Sequence, residues 1–193
     1  MKNSYVVNFR EIMITVILAV LCGFIYIAWA PLYYLLDGVF PGGGEIIYGT
    51  WFIAGPLAAY IVRKPGVALI AEMAAASGEL FMGSPWGLQV LLYGLAQGVA
   101  TELIFALFRY QKFNVSTMLL GGAAAAAASL LFEGLTGGLA ELATGPMIAK
   151  IAMRTISGAI LGGLLAKIIV DLLAKTGVLN NYAIIRQKME NPF

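Results

Sequence analysis

Six long apolar runs, at 12–36, 48–62, 65–82, 86–108, 115–132 and 146–173, leave this chain very few folds. A helix rises ~1.5 Å per residue and needs roughly 20 apolar residues to cross ~30 Å of hydrocarbon. All but one of the runs approach or exceed that length; the second is short. In lipid every backbone amide and carbonyl must be paired internally, which permits only helices or a closed barrel. Unbroken apolar runs are not the alternating ten-residue strands of a barrel. The expectation is therefore an all-α integral membrane protein of about six transmembrane helices, forming a single transmembrane domain over 1–193. With 61% hydrophobic and 11% charged residues, the chain carries more apolar surface than a soluble domain could bury. The first run follows Lys2 and Arg10, like the start of a signal peptide, but is about twice as long as a signal core and reads as a retained span.

The connections alternate in charge. Arg63 and Lys64 join the second and third runs, Arg109 and Lys112 the fourth and fifth, and Lys175, Arg186 and Lys188 follow the sixth. The positive-inside rule makes these connections cytoplasmic, and with Lys2 and Arg10 it puts both termini on that side. The outer connections, 37–49, 83–85 and 133–145, contain no Lys or Arg; with the adjoining helix end they present Asp37, Glu45, Glu79, Glu133 and Glu141. The glycines, Phe40 and Pro41 of 37–49 suit a mobile flap with an apolar tip, against the simpler reading of an ordinary turn. The run from Gly121 to Ala128 gives a smooth helix face for close approach of a neighbour. Ala19 and Gly23 have small-xxx-small spacing, which fits internal packing or a docking seam for another subunit.

Several chemistries are excluded. The chain has no His and one Cys, so Cys/His metal sites, His-based catalysis and an intramolecular disulfide are ruled out; Cys22 reads as a small core hydrophobe. There is no phosphate-binding loop, nucleophile elbow or His-Glu-x-x-His helix, so the chain is not expected to be an enzyme or to carry a cofactor. ATP-driven movement of a solute would need a separate ATPase. The net charge of +2 resides mainly at the membrane edges, which gives no nucleic-acid surface.

Ionisable groups inside spans cost roughly 2.5–3.5 kcal/mol each on insertion scales, so Glu72, Glu79, Glu102 and Arg154 require partners or water. Glu72 and Glu79 lie seven residues apart on one helix face, with Glu79 close to the outer surface. The antiparallel next span places Trp86, Gln89, Tyr93 and Gln97 along one stripe. Trp29, Tyr33, Tyr34, Tyr48, Trp51 and Trp86 gather at the outer ends, either as an interfacial belt or as rings on which a flat cationic heterocycle stacks beside a carboxylate. The candidate substrate site is accordingly Glu79, Gln89, Tyr93, Gln97, Trp51 and Glu133, with Glu72 and Tyr48 as additions. Arg154 is expected to pair with Glu133 or Glu141, and Glu102 to have either a structural or partner-facing role or a functional one.

Arg10-Glu11-Ile12, the loop from Asp37-Gly38 to Gly44-Glu45, and the stretch from Ala71-Glu72-Met73 through Gly78-Glu79 to Gly83-Ser84-Pro85-Trp86-Gly87 give the chain a wider resemblance. It resembles the substrate-binding S components of energy-coupling factor (ECF) type ABC transporters, and within them the YkoE family, associated with uptake of thiamin or its hydroxymethylpyrimidine precursor. The resemblance implies a binding cup near the outer surface of the bacterial cell membrane. It also implies a transmembrane coupling subunit and two cytoplasmic ATPase subunits as partners. It does not give site residues one by one, and Ala19 with Gly23 departs from the Ala-x-x-x-Ala seam of S components that share a coupling subunit. Thiamin carries a thiazolium cation and an aminopyrimidine, which call for a carboxylate, stacking rings and amide or hydroxyl hydrogen bonds. The competing expectation is an autonomous proton-coupled secondary transporter using Glu72 or Glu102, against which stands the lack of an internal repeat.

Overall fold

The computed structural model describes residues 6–139 and 141–185; Lys2, Arg186 and Lys188 lie outside the described residues. All regular secondary structure among them is helical. Helix α1 (Phe9–Val39) opens with a capping box: Asn8 Oδ1 accepts from the Glu11 amide at 3.0 Å, and Glu11 Oε2 accepts from the Asn8 amide at 2.8 Å. Two 3₁₀ turns, Gly43–Ile46 and Tyr48–Phe52, lead into α2 (Ala54–Val62). Helices α3 (Val67–Phe81), α4 (Gln89–Leu107) and α5 (Val115–Leu135) follow. The last run comprises α6 (Thr144–Ser157), a π-helical segment Gly158–Leu164 and α7 (Leu165–Lys175).

Four helices are long and apolar enough to cross a membrane: α1, α4, α5 and the continuous run Thr144–Lys175. The stretch Tyr48–Val62 is a shorter apolar helix, and α3 has 15 residues. The short α2 sits at the centre, touching α1, α3, α4, α5 and α7, and every one of its residues is buried. A helix apolar on all sides is satisfied only in such a position.

Glycine sets the closest approaches. A Cβ on Gly122 would lie 2.1 Å from the carbonyl oxygen of Gly158, and one on Gly163 would lie 2.1 Å from that of Met118, so α5 and the π segment meet backbone to backbone. Gly23 does the same for α1 and α3, since its Cβ would stand 2.7 Å from the Ala75 carbonyl oxygen, and Ala19 is fully buried. The Ala19–Gly23 seam is thus internal packing.

The 37–49 connection is not a free flap. Helix α1 continues through Asp37, whose Oδ1 accepts from the Gly42 amide at 2.9 Å. Gly43, Gly44, Glu45 and Gly49 are buried, while Phe40 is exposed. Ser157 stitches the segment to α6, accepting from the Gly49 amide at 2.9 Å and donating to the Ile46 carbonyl at 2.7 Å.

At the opposite pole Glu102 is a helix cap. Its Oε1 accepts from the Gly66 amide at 2.6 Å and the Tyr110 hydroxyl at 2.6 Å, and its Oε2 from the Ala68 amide at 2.9 Å. A carboxylate over these amides satisfies otherwise orphaned donors of α3 and opposes the positive end of its dipole.

Candidate functional site

Between the 3₁₀ segment, α3, α4 and α6 lies a cavity of about 150 Å³. Glu72, Glu79, Gln89, Tyr93, Gln97, Trp51, Glu133 and Tyr48 all line it. Tyr26, Tyr33, Trp86, Lys150 and Arg154 line it as well.

Two buried carboxylates on α3 form one side. Glu72 Oε1 accepts from the Gly55 amide at 2.7 Å, where the absence of a side chain at the start of α2 lets the carboxylate reach the backbone. One helical repeat above, Glu79 Oε1 accepts from Ser84 Oγ at 3.1 Å and from Trp51 Nε1 at 3.4 Å. The donors to both groups are neutral, and neither has a cation among the described residues within ion-pair distance.

Facing them across the cavity is an ion-paired wall. Arg154, fully buried on α6, gives Nε to Glu45 Oε2 at 2.5 Å, Nη2 to Glu45 Oε1 at 2.7 Å and Nη1 to Glu133 Oε2 at 2.7 Å. Its guanidinium lies 3.9 Å from the centre of the Tyr48 ring. Lys150, one turn earlier on α6, pairs with Glu133 and lies 3.6 Å from Glu45. Arg154 therefore takes Glu133 together with Glu45, while Glu141 is exposed.

Aromatic rings form a collar between the two sides. Trp51 and Trp86 are perpendicular with centroids 5.7 Å apart; Tyr33 is edge-on to Tyr48 at 5.9 Å and to Trp51 at 6.0 Å; Tyr34 stacks on Trp86 at 5.7 Å. Such geometries suit the ring quadrupoles. From α4, Gln97 is buried, Tyr93 packs edge-on against Phe132 at 4.8 Å, and Gln89 is exposed at the mouth.

The residues that sequence reasoning left out of the site are Lys150, Arg154, Trp86, Tyr26 and Tyr33 on the lining and Glu45 behind it. Lys150 and Arg154 are spaced i, i+4 and so share a helix face, a signal missed because Lys150 is not counted beside Arg154 among the charges inside the spans. The cup is consequently mixed in charge, and its acids divide into a neutralised pair, Glu45 and Glu133, and an un-neutralised pair, Glu72 and Glu79.

Known proteins place this architecture. Residues 10–128 match the family described as the ABC-type cobalt transport system, permease component. The chain is 36% identical over 176 residues to YkoE of Bacillus subtilis (strain 168), described as an inferred HMP/thiamine permease protein; the match covers 91% of this chain and 88% of that one. It superposes with a TM-score of 0.92 and 34% identity on a crystal structure of an S-component of an ECF transporter, covering 97% of this chain and 95% of the other. With its apolar helices, buried central α2 and full-length agreement with these relatives, the chain belongs to the S components of ECF transporters, in the YkoE family, and is a multi-pass membrane transport protein, not an enzyme.

Proposed function

We propose that this chain captures thiamin or its hydroxymethylpyrimidine precursor from outside the bacterial cell and delivers it inward as the specificity subunit of an ECF importer. The observation that carries the reading is the α3 side of the cup: Glu72 and Glu79, buried without a cation, next to the rings of Trp51 and Trp86. Buried carboxylates with only neutral donors favour a ligand that brings positive charge or several N–H groups. A thiazolium beside a tryptophan face and an aminopyrimidine donating to a carboxylate meet both needs. The HMP/thiamine description of the Bacillus relative supports the same ligand class.

In this reading Glu79, Trp51, Tyr48, Gln89, Tyr93, Gln97, Glu72 and Glu133 form the substrate site. All six helical segments cross the membrane, with the Arg63–Lys64 and Arg109–Lys112 connections and both termini in the cytoplasm and the cup facing outward. A transmembrane coupling subunit and two cytoplasmic ATPase subunits supply the energy, since the chain has no phosphate-binding loop. Cobalt is not favoured as cargo: the chain has no His and one Cys, and no cluster of three His, Cys, Asp or Glu among the described residues is placed to hold a metal ion.

The test is intrinsic tryptophan fluorescence of the detergent-purified chain, titrated separately with thiamin and hydroxymethylpyrimidine. Saturable quenching at low micromolar ligand or below, about −8 kcal/mol or tighter, is expected for at least one of them. No binding of either, by fluorescence and by calorimetry, would remove the assignment.

A further inference from the structure

We propose that the cup is selective for the unphosphorylated ligand and rejects its phosphate esters, because both basic side chains on its lining are already committed to carboxylates. The proposal rests on the thiamin-class reading above and deepens it. A phosphate monoester carries about −1.5 to −2 charges near neutral pH and needs cationic or amide donors that are free to turn toward it. Among the described residues, the only Lys and Arg lining the cavity are Lys150 and Arg154. Arg154 directs Nε and Nη2 to Glu45 behind the wall and Nη1 to Glu133, which uses both edges of its guanidinium. The Lys150 ammonium lies between Glu133 and Glu45.

The remaining acids on the lining, Glu72 and Glu79, offer an anion no cationic donor. A phosphate arriving at the α6 wall would have to displace a carboxylate that is itself held in the same low-dielectric pocket, and the displaced Glu45 has no exposure to water. Like charges brought together at such a site cost several kcal/mol, enough for discrimination on the order of 100-fold. The neutral hydroxyl end of the same ligand has no such conflict, since a hydroxyl can accept from Lys150 or donate to Glu133 without breaking the pairs. The discrimination thus resides in the Glu45–Arg154–Glu133–Lys150 group, and the attraction in the α3 carboxylates. Esters in the medium must then lose phosphate by hydrolysis before this subunit can take up the ligand.

The experiment is calorimetric titration of the full-length purified chain with thiamin, hydroxymethylpyrimidine and thiamin monophosphate, repeated with Glu133→Gln and Lys150→Met. In the unaltered protein thiamin monophosphate is expected to bind at least about 100-fold more weakly than thiamin. Glu133→Gln removes one of the two carboxylates that hold Lys150 and Arg154, and should narrow that ratio by about 10-fold or more. Lys150→Met, which leaves Arg154 paired, should keep the ratio or widen it. Thiamin monophosphate binding within a few-fold of thiamin in the unaltered protein, or a ratio insensitive to Glu133→Gln when thiamin still binds that variant, would overturn the inference while leaving the assigned function intact. Failure of the unaltered protein to bind either thiamin or hydroxymethylpyrimidine would instead overturn the function.

Discussion

Arg154 grips Glu45 through two hydrogen bonds, Nε to Oε2 at 2.5 Å and Nη2 to Oε1 at 2.7 Å, across 109 positions of sequence. These bonds tie the first 3₁₀ turn to α6, directly ahead of the second turn that carries Tyr48 and Trp51, and so brace one wall of the cup. Replacing one partner of a buried pair leaves an uncompensated charge, which costs about 3–5 kcal/mol. Arg154→Met should therefore lower the thermal unfolding temperature sharply, and Glu45→Gln added to it should recover much of the loss. If the double variant were no more stable than Arg154→Met alone, Glu45 would not be the partner that matters.

Ligand attraction is assigned to the other side. Glu79→Gln preserves the hydrogen-bonding shape but removes the charge, and Trp51→Ala removes a ring face together with the Nε1 donor to Glu79. Each should weaken thiamin binding by about 10- to 100-fold, or 1.4–2.8 kcal/mol. Titrations giving unchanged affinity in both variants would move the ligand out of this cup.

Glu102 separates the importer reading from that of a proton-coupled carrier. It is bound to the Gly66 and Ala68 amides and to the Tyr110 hydroxyl, so its work is to hold the first turn of α3. Glu102→Ala should cost about 1–2 kcal/mol of stability, as for the loss of a helix cap, with thiamin affinity retained. In proteoliposomes the isolated chain should show no uptake until coupling and ATPase subunits are added. Proton-driven uptake by the chain alone, abolished in the Glu102 variant, would favour the carrier.

Much of this was legible locally. The apolar runs fall on the observed helices because lipid-facing and core-facing residues are alike apolar, and the gathering of Glu72, Glu79, Gln89, Tyr93 and Gln97 around one cavity follows from helical spacing plus a short α3–α4 hairpin. What could not be read is long-range. No local pattern says that Arg154 reaches past Glu141 to Glu45, or that a segment rich in glycine folds into 3₁₀ turns instead of a flap. Those outcomes depend on Ser157 and Arg154 being presented by a distant helix at the right height.

That height is set by the π segment, which begins at Gly158, immediately after Ser157, and packs on α5. A methyl group on Gly122 would sit 2.1 Å from the Gly158 carbonyl oxygen and 2.7 Å from the Gly163 amide nitrogen, so the π segment would have to move away. Overpacking of this kind costs about 1–3 kcal/mol. The displacement would carry Ser157 and Arg154 with it, loosening the Gly49 and Glu45 attachments that hold the Tyr48–Trp51 wall. Gly122→Ala should thus lower the unfolding temperature and also weaken thiamin binding, although position 122 does not line the cup. Gly38→Ala, where a methyl group meets nothing within 4 Å, serves as the control and should change neither quantity. A Gly122→Ala protein that is destabilised but binds thiamin with unchanged affinity would show that the cup wall is positioned independently of the α5–π contact.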